Sequence, residues 1–100
     1  MINKNDIISF LRANLPVLRS YYHIVRIGLF GSFARNEQGD DSDIDIIVEI
    51  ESGTPDIHRL KLELKDFIGK TFNRSVDIAR EKYLKPYARN AILSEVIYVQ

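Results

Sequence analysis

Cysteine and tryptophan are absent from the sequence, and methionine occurs once. The lack of cysteine excludes disulfide bonds and thiolate metal sites. An excess of either charge is also missing, because fourteen Lys and Arg residues balance fourteen Asp and Glu residues. A protein dedicated to binding nucleic acid needs a basic surface that neutralises phosphates, so we expect no direct binding to DNA or RNA.

Long apolar runs are missing as well, and the polar start MINKNDI has no signal-peptide pattern. We therefore expect a cytoplasmic protein with no membrane partner. The content of 45% hydrophobic and 28% charged residues is ordinary for a globular protein. A chain of 100 residues is long enough for one modest core, and we expect a single domain over residues 1–100.

Helical and strand-like patterns alternate along the chain. Apolar residues at helical spacing predict an N-terminal helix from about Asp6, which Pro16 either ends or restarts. Segments rich in β-branched residues predict three strands, and the apolar tail could add a fourth; these segments are residues 24–30, 43–50, 75–79 and 96–99.

Two further helices are predicted in the second half of the chain. An amphipathic helix begins near Ile57 and ends near Gly69, and a last helix begins near Lys85, with Pro86 in its first turn. Helices that alternate with short strands indicate an α/β (α+β) fold, in which helices flank a small mixed β-sheet.

Acidic residues interrupt the second predicted strand. Asp43 and Asp45 point to one face of a strand, because side chains alternate. Two like charges about 7 Å apart repel one another, and a divalent cation between them removes the repulsion. The alternative is that DDSDID is a solvated loop leading into an edge strand, and the pair by itself does not decide between the two.

A third aspartate, Asp77, lies between Val76 and Ile78 in the next predicted strand. If this strand lies beside residues 43–50, the three carboxylates converge. Mg²⁺ takes one or two protein carboxylates and completes its coordination with water and substrate phosphates, so such a group suits a nucleotide-bound metal. Two ions there could hold the attacking and leaving oxygens of a displacement at phosphorus. Alternatively, Asp77 is an ordinary exposed residue of an edge strand.

Gly31 and Ser32 follow the first predicted strand, where a helix begins. Glycine lets the backbone approach a phosphate, amide groups at a helix start point toward an anion, and the serine hydroxyl can donate a further hydrogen bond. An isolated Gly-Ser is far more often only a strand-to-helix turn, in which Ser32 would cap the helix. Only its combination with the three aspartates indicates a nucleotide site.

This combination of Gly31-Ser32, ten residues, Asp43-x-Asp45 and a later aspartate resembles the signature of the nucleotidyltransferase superfamily that includes DNA polymerase beta. More closely, GSFARNEQGDDSDIDIIVE (31–49) and VDIAREKYLKPYARNAILSEVIYV (76–99) resemble the minimal nucleotidyltransferases, the antitoxin partners of HEPN-domain toxins.

The resemblance implies roles for these residues. Gly31 and Ser32 would bind the triphosphate of ATP, Asp43 and Asp45 would ligate two Mg²⁺ ions, and Asp77 would bind the ion nearest the acceptor and help to activate its hydroxyl. Arg35 stands at the family's usual arginine position and would contact phosphate, or else serve as a surface residue or an ion-pair partner. Asn36 stands where the family commonly has glycine, and we expect a changed loop shape without loss of activity.

The resemblance also implies a function, which is adenylylation of a HEPN ribonuclease, on a tyrosine hydroxyl, with ATP and Mg²⁺. Two alternatives remain open: an antitoxin that neutralises its toxin by binding alone, and a transferase that acts on an aminoglycoside-like small molecule. The base preference, the acceptor residue and the number of nucleotides added do not follow from the sequence. The C-terminal strand could pair with a second copy to form a homodimer.

The remaining conspicuous residues favour structural roles. His23 and His58 lack paired metal ligands or a nucleophile pattern, so ordinary placement is expected. The basic group of Lys82, Lys85 and Arg89 is interpreted as a solvated helix face, with contact to a nucleotide or a partner as the alternative.

Overall fold

The computed structural model describes residues 2–100. Within this range the chain forms helices, strands and one short 3₁₀ helix. In chain order they are α1 (Lys4–Ala13), α2 (Leu15–Ser20), β1 (Ile24–Phe30), α3 (Gly31–Ala34), β2 (Ile44–Ile50), α4 (Ile57–Phe72), β3 (Val76–Arg80), the 3₁₀ helix (Glu81–Tyr83), α5 (Pro86–Glu95) and β4 (Ile97–Tyr98).

The four strands form one mixed sheet in the order β3-β2-β1-β4. Strand β1 is antiparallel to both β2 and β4, whereas β2 and β3 are parallel. The parallel pair requires a crossover connection, which α4 provides. The predicted α/β fold with helices beside a small mixed sheet is thus confirmed, and so is the strand expected in the C-terminal tail.

One face of the sheet carries the hydrophobic core. In β2 the alternate residues Ile44, Ile46, Val48 and Ile50 are buried in it. The same core includes buried side chains from α1, α2 and α4, such as those of Ile7, Leu11, Leu18, Leu60, Leu64 and Ile68. Because the side chains of β2 alternate, the intervening residues of this strand face the other side, away from the core.

The N-terminal region follows its sequence signals. Asn3 caps α1 through a capping box, in which its side chain accepts a hydrogen bond from the backbone of Asp6 and the Asp6 carboxylate accepts one from the backbone of Asn3. Pro16 lies in the first turn of α2, where a missing N–H costs nothing, so proline restarts the helix. The helices therefore break where the sequence predicts.

The end of α4 differs from the prediction. The helix passes through Gly69, where we expected it to end, and continues to Phe72. Asn73 adopts the left-handed conformation, with φ of 53°, and terminates the helix. Gly69 instead marks a close approach, because a Cβ atom there would lie 3.0 Å from the Arg74 carbonyl oxygen. Gly69 is therefore a point of close packing and does not end the helix.

The sheet face opposite the core is partly covered by the C-terminal segment. Gly28 in β1 pairs with Tyr98 in β4, and a Cβ atom on Gly28 would collide with the Val96 side chain. Beside this contact, Arg26 donates to the buried Glu81 carboxylate at 2.6 Å and lies over the Tyr98 ring. None of the helices in residues 2–100 has the length and apolar character needed to cross a membrane.

Candidate active site

Asp45 and Asp77 occupy paired positions on the two parallel strands. In the register of β2 and β3, Asp45 lies opposite Asp77, one step after the pairing of Ile44 with Val76. Ile44 and Val76 are buried in the core, so the two aspartates lie on the opposite face of the sheet. Asp45 is partly buried and Asp77 is exposed. The structure therefore brings together two acids that are 32 positions apart in the sequence.

Asp43 lies one residue before β2, rather than within the strand as predicted, and its side chain is exposed. Its charge nevertheless reaches Asp45. The pKa of the Asp45 carboxyl is raised to about 6, first because burial disfavours the charged form, and then because Asp77 and Asp43 place negative charge beside it. Arg35 opposes this rise in the pKa of Asp45, and Glu95 adds to it.

Gly31 forms the turn between β1 and α3 directly against Asp45. Its φ of 76° lies in the left-handed region, which favours glycine. A Cβ atom built on Gly31 would overlap with the Asp45 carboxylate and would lie 2.9 Å from its Cγ atom. Both the backbone conformation and the available space therefore require glycine, and the amide of this turn lies beside the acidic face.

Ser32 does not cap the helix, which was the structural alternative for this residue. The N-cap of α3 is Phe30, and no side chain makes a cap hydrogen bond. Ser32 is partly buried in the first turn of α3, next to Gly31. The loop that follows contains Asn36 with φ of 59°, so asparagine here adopts a left-handed conformation that glycine would otherwise provide.

Arg35 forms ion pairs with two glutamates. Its Nε atom lies 3.0 Å from the Glu37 carboxylate, and its Nη1 atom lies 2.7 Å from the Glu95 carboxylate. Of the alternatives for Arg35, the ion-pair role is the one seen in this structure. The Arg35 side chain remains 45% exposed. It can therefore also be reached by a ligand.

Glu95 is the residue of this region that sequence reasoning missed. Its Oε2 atom accepts a hydrogen bond from the Gly31 amide at 2.9 Å and another from Arg35 at 2.7 Å. Glu95 is the last residue of α5, 64 positions after Gly31. No local pattern marks such a residue, because its contacts depend on where α5 packs against α3.

Residues beyond the acidic face have structural or peripheral positions. Arg89 donates to the carbonyl oxygen of Glu81 at 2.9 Å, so it supports the fold in addition to lying on a helix face. His58 lies beside Asp77 in a surface groove of about 190 Å³. The groove is also lined by Lys61, Lys65 and the exposed Leu62, and it opens at the edge of the sheet next to β3.

The acidic face fits a divalent cation by its chemistry. Asp43, Asp45 and Asp77 offer carboxylate oxygens, the ligands that Mg²⁺ prefers. The raised pKa of Asp45 comes partly from its acidic neighbours, and a cation would relieve that repulsion. Among residues 2–100, no group of three or more His, Asp or Glu side chains lies close enough together to hold a metal ion by itself. The protein groups would thus supply part of a coordination shell that substrate phosphates and water complete.

The chain is similar to proteins of known sequence and structure. A family model described as "Nucleotidyltransferase domain" matches residues 11–99. The protein adenylyltransferase MntA of Thermococcus cleftensis is 33% identical, over 99% of this chain and 98% of that protein. A solved structure of a candidate minimal nucleotidyltransferase is 31% identical, with a TM-score of 0.78, over 96% of this chain and 95% of that one. A crystal structure of a toxin–antitoxin with AMP-PNP is 25% identical, with a TM-score of 0.68, over 99% of this chain and 73% of that one.

Proposed function

The chain belongs to the nucleotidyltransferase domain family, and from this membership we propose that it is an antitoxin that transfers AMP from ATP to a hydroxyl of a HEPN-domain toxin. The observation that carries the proposal is the pairing of Asp45 with Asp77 beside the Gly31 turn. Two similar proteins support it, because one is named a protein adenylyltransferase and the other is a toxin–antitoxin with AMP-PNP. The HEPN identity of the partner rests on the sequence resemblance.

The proposed nucleotide site has hydrogen-bond donors for the phosphates on one side and aspartate carboxylates on the other. The Gly31 amide, the Ser32 hydroxyl and the Arg35 guanidinium group bind the triphosphate, because N–H and O–H donors match phosphate oxygens. Asp43, Asp45 and Asp77 would hold two Mg²⁺ ions, which when bound neutralise phosphate charge and polarise the phosphorus. These acids outnumber Arg35, so without a cation the triphosphate would meet a repulsive surface.

The transfer step needs an acceptor hydroxyl in line with the α-phosphorus. The hydroxyl oxygen forms a bond to the α-phosphorus, the bond from the α-phosphorus to the bridging oxygen breaks, and pyrophosphate leaves. Asp77 is the exposed member of the acidic pair, so we assign it the orientation of the hydroxyl and the acceptance of its proton. Asp45, which is more buried and close to Gly31, belongs to the nucleotide side of the site.

A protein acceptor suits the surface next to Asp77. The groove there is small, open and lined by Lys61, Lys65 and Leu62, and it offers no deep pocket for a small molecule. A macromolecule can instead bind over a wide surface and present one hydroxyl to the acids. We propose no nucleic-acid partner, because the chain has no excess of basic residues to neutralise a run of phosphates. A second copy could pair at the short edge strand β4, which light scattering of the purified chain would test.

The deciding experiment is incubation of the chain with ATP, Mg²⁺ and the HEPN protein encoded next to it, followed by intact-mass measurement of that protein. A mass gain of one or more AMP groups, abolished in Asp77→Asn, is the expected result. An unchanged mass together with loss of toxicity would identify an antitoxin that acts only by binding. Transfer to an aminoglycoside hydroxyl, and none to the protein, would identify a small-molecule transferase.

A further inference from the structure

The Glu95 carboxylate occupies two of the donors that the proposed function assigns to the triphosphate. One oxygen, Oε2, accepts from the Gly31 amide at 2.9 Å and from the Arg35 guanidinium group at 2.7 Å. A backbone amide has a single hydrogen and donates to one acceptor well. A phosphate oxygen and the Glu95 oxygen therefore compete for the Gly31 amide.

Glu95 lies at a position in α5 that is electrostatically unfavourable for a carboxylate. Glu95 is the last residue of α5, and the last turn contains no basic residue. A carboxylate at a helix C-terminus meets the negative end of the helix dipole, which is unfavourable. The contacts with Gly31 and Arg35 offset this cost, so the carboxylate is retained by the nucleotide site rather than by α5.

Glu95 and the triphosphate compete for the same hydrogen-bond donors, and the repulsion between their negative charges makes this competition stronger. Glu95 adds negative charge to a face that already holds Asp43, Asp45 and Asp77, and its side chain is only 21% exposed. A triphosphate that entered while Glu95 stayed in place would bring further negative charge against a poorly solvated carboxylate. That arrangement is unfavourable, since screening by water is reduced there.

We propose that Glu95 acts as a stand-in for the triphosphate in the nucleotide-free chain and leaves the Gly31 amide and Arg35 when ATP binds. The inference rests on the proposed function and deepens it, because it makes Glu95 a residue that limits nucleotide affinity. Glu95 holds the Gly31 turn and Arg35 in position through these hydrogen bonds, and phosphate oxygens take its place at both donors when ATP binds. Its removal should therefore strengthen nucleotide binding.

The test is calorimetric titration with the ATP analogue that carries a methylene group between the α- and β-phosphorus, at fixed Mg²⁺. This analogue cannot transfer AMP, so the measurement reports binding alone. Glu95→Gln removes the charge and keeps the shape, while Glu95→Ala removes the carboxylate altogether. The dissociation constant should fall roughly tenfold in both variants, the equivalent of one charge-assisted hydrogen bond no longer broken on binding.

Glu37→Gln is the matched control. Glu37 also pairs with Arg35, but it is 65% exposed and makes no contact with Gly31, so its removal should change the dissociation constant by less than about twofold. A purely structural role for Glu95 predicts the opposite sign, because a loosened Gly31 turn binds more weakly. Unchanged or weaker binding in both Glu95 variants would overturn the inference.

The proposed function fails separately. If the native chain binds the analogue and the Glu95 variants do not bind it more tightly, only the role of Glu95 is wrong. If the variants bind more tightly but the native chain transfers no AMP to its partner, the role of Glu95 holds and the adenylylation proposal fails. If neither the native chain nor any variant binds the analogue, both are wrong.

Discussion

Gly31 lies so close to Asp45 that a single added Cβ atom would overlap with the aspartate carboxylate. Gly31 directly follows Phe30, the last residue of β1, and Phe30 lies opposite Asp45 in the antiparallel strand β2. The register of this pair therefore joins the turn that is proposed to bind phosphate to the acid that is proposed to bind metal.

Gly31→Ala should lower both stability and activity. The left-handed φ of 76° costs alanine about 1–2 kcal/mol, and displacement of Asp45 adds to this, so we expect a loss of at least roughly 2 kcal/mol in the free energy of unfolding. Urea denaturation measures it. Gly53→Ala is the control, because Gly53 has φ of 83° but open space around it, and it should lose only about 1 kcal/mol. Equal losses would show that the contact with Asp45 is unimportant.

Asp45→Asn should stabilise the fold at high pH and not at low pH. The pKa of Asp45 is raised from 3.8 to about 6 in the folded chain, so between these values the folded state binds more protons than the unfolded state. The free energy of unfolding therefore falls as pH rises through this window. Removing the charge should raise the free energy of unfolding by roughly 1 kcal/mol at pH 8, after discounting for solvent screening. At pH 3.5 the free energy of unfolding should hardly change.

The measurement for Asp45→Asn is urea denaturation at both pH values, with Asp41→Asn as the control. Asp41 is exposed in the loop before β2, so its substitution should have little effect at either pH. Equal stabilisation by Asp45→Asn at both pH values would contradict the raised pKa as its cause.

Asp43→Asn and Asp77→Asn should remove transfer while leaving the fold intact, because both side chains are exposed. Loss of a charged ligand weakens the hold on the cation and the phosphates, and we expect AMP transfer to fall by about 100-fold or more. The measurement is the rate of transfer as a function of Mg²⁺ concentration, with circular dichroism to confirm folding. Asp41→Asn should transfer normally. Full activity in Asp43→Asn or Asp77→Asn would show that the substituted residue is not part of the active site.

Gly69→Ala should destabilise the chain, although the same change in an exposed helix interior stabilises by about 1 kcal/mol. The new Cβ atom would lie 3.0 Å from the carbonyl oxygen of Arg74, and the segment that connects α4 to β3 would have to shift. Thermal unfolding measures the effect. Ser9→Ala on the exposed side of α1 provides the ordinary helix-propensity gain for comparison. If Gly69→Ala raised Tm as much as Ser9→Ala does, the Arg74 carbonyl group would be able to move away from the new Cβ atom at no cost.

Local sequence signals predicted most elements because each depends on neighbours in the chain. Pro86 begins α5, Pro16 restarts the helix at α2, and the alternation of acids with isoleucines marks β2. Gly69 misled the prediction of the end of α4, since the same residue type serves as a helix stop and as a point of close packing. The left-handed Asn73, which does end the helix, is a weaker signal than glycine.

The sequence by itself determined the kinds of side chain available for the candidate site. An aspartate in a strand-like segment and a Gly-Ser at the end of a strand can both be recognised from the local sequence. Only the tertiary structure decided which of them meet. The parallel register of β2 with β3 places Asp77 opposite Asp45, and the packing of α5 against α3 brings Glu95 to Gly31 and Arg35. Such relationships depend on contacts between distant segments, whose energies are set by burial and packing of the whole core rather than by any local pattern.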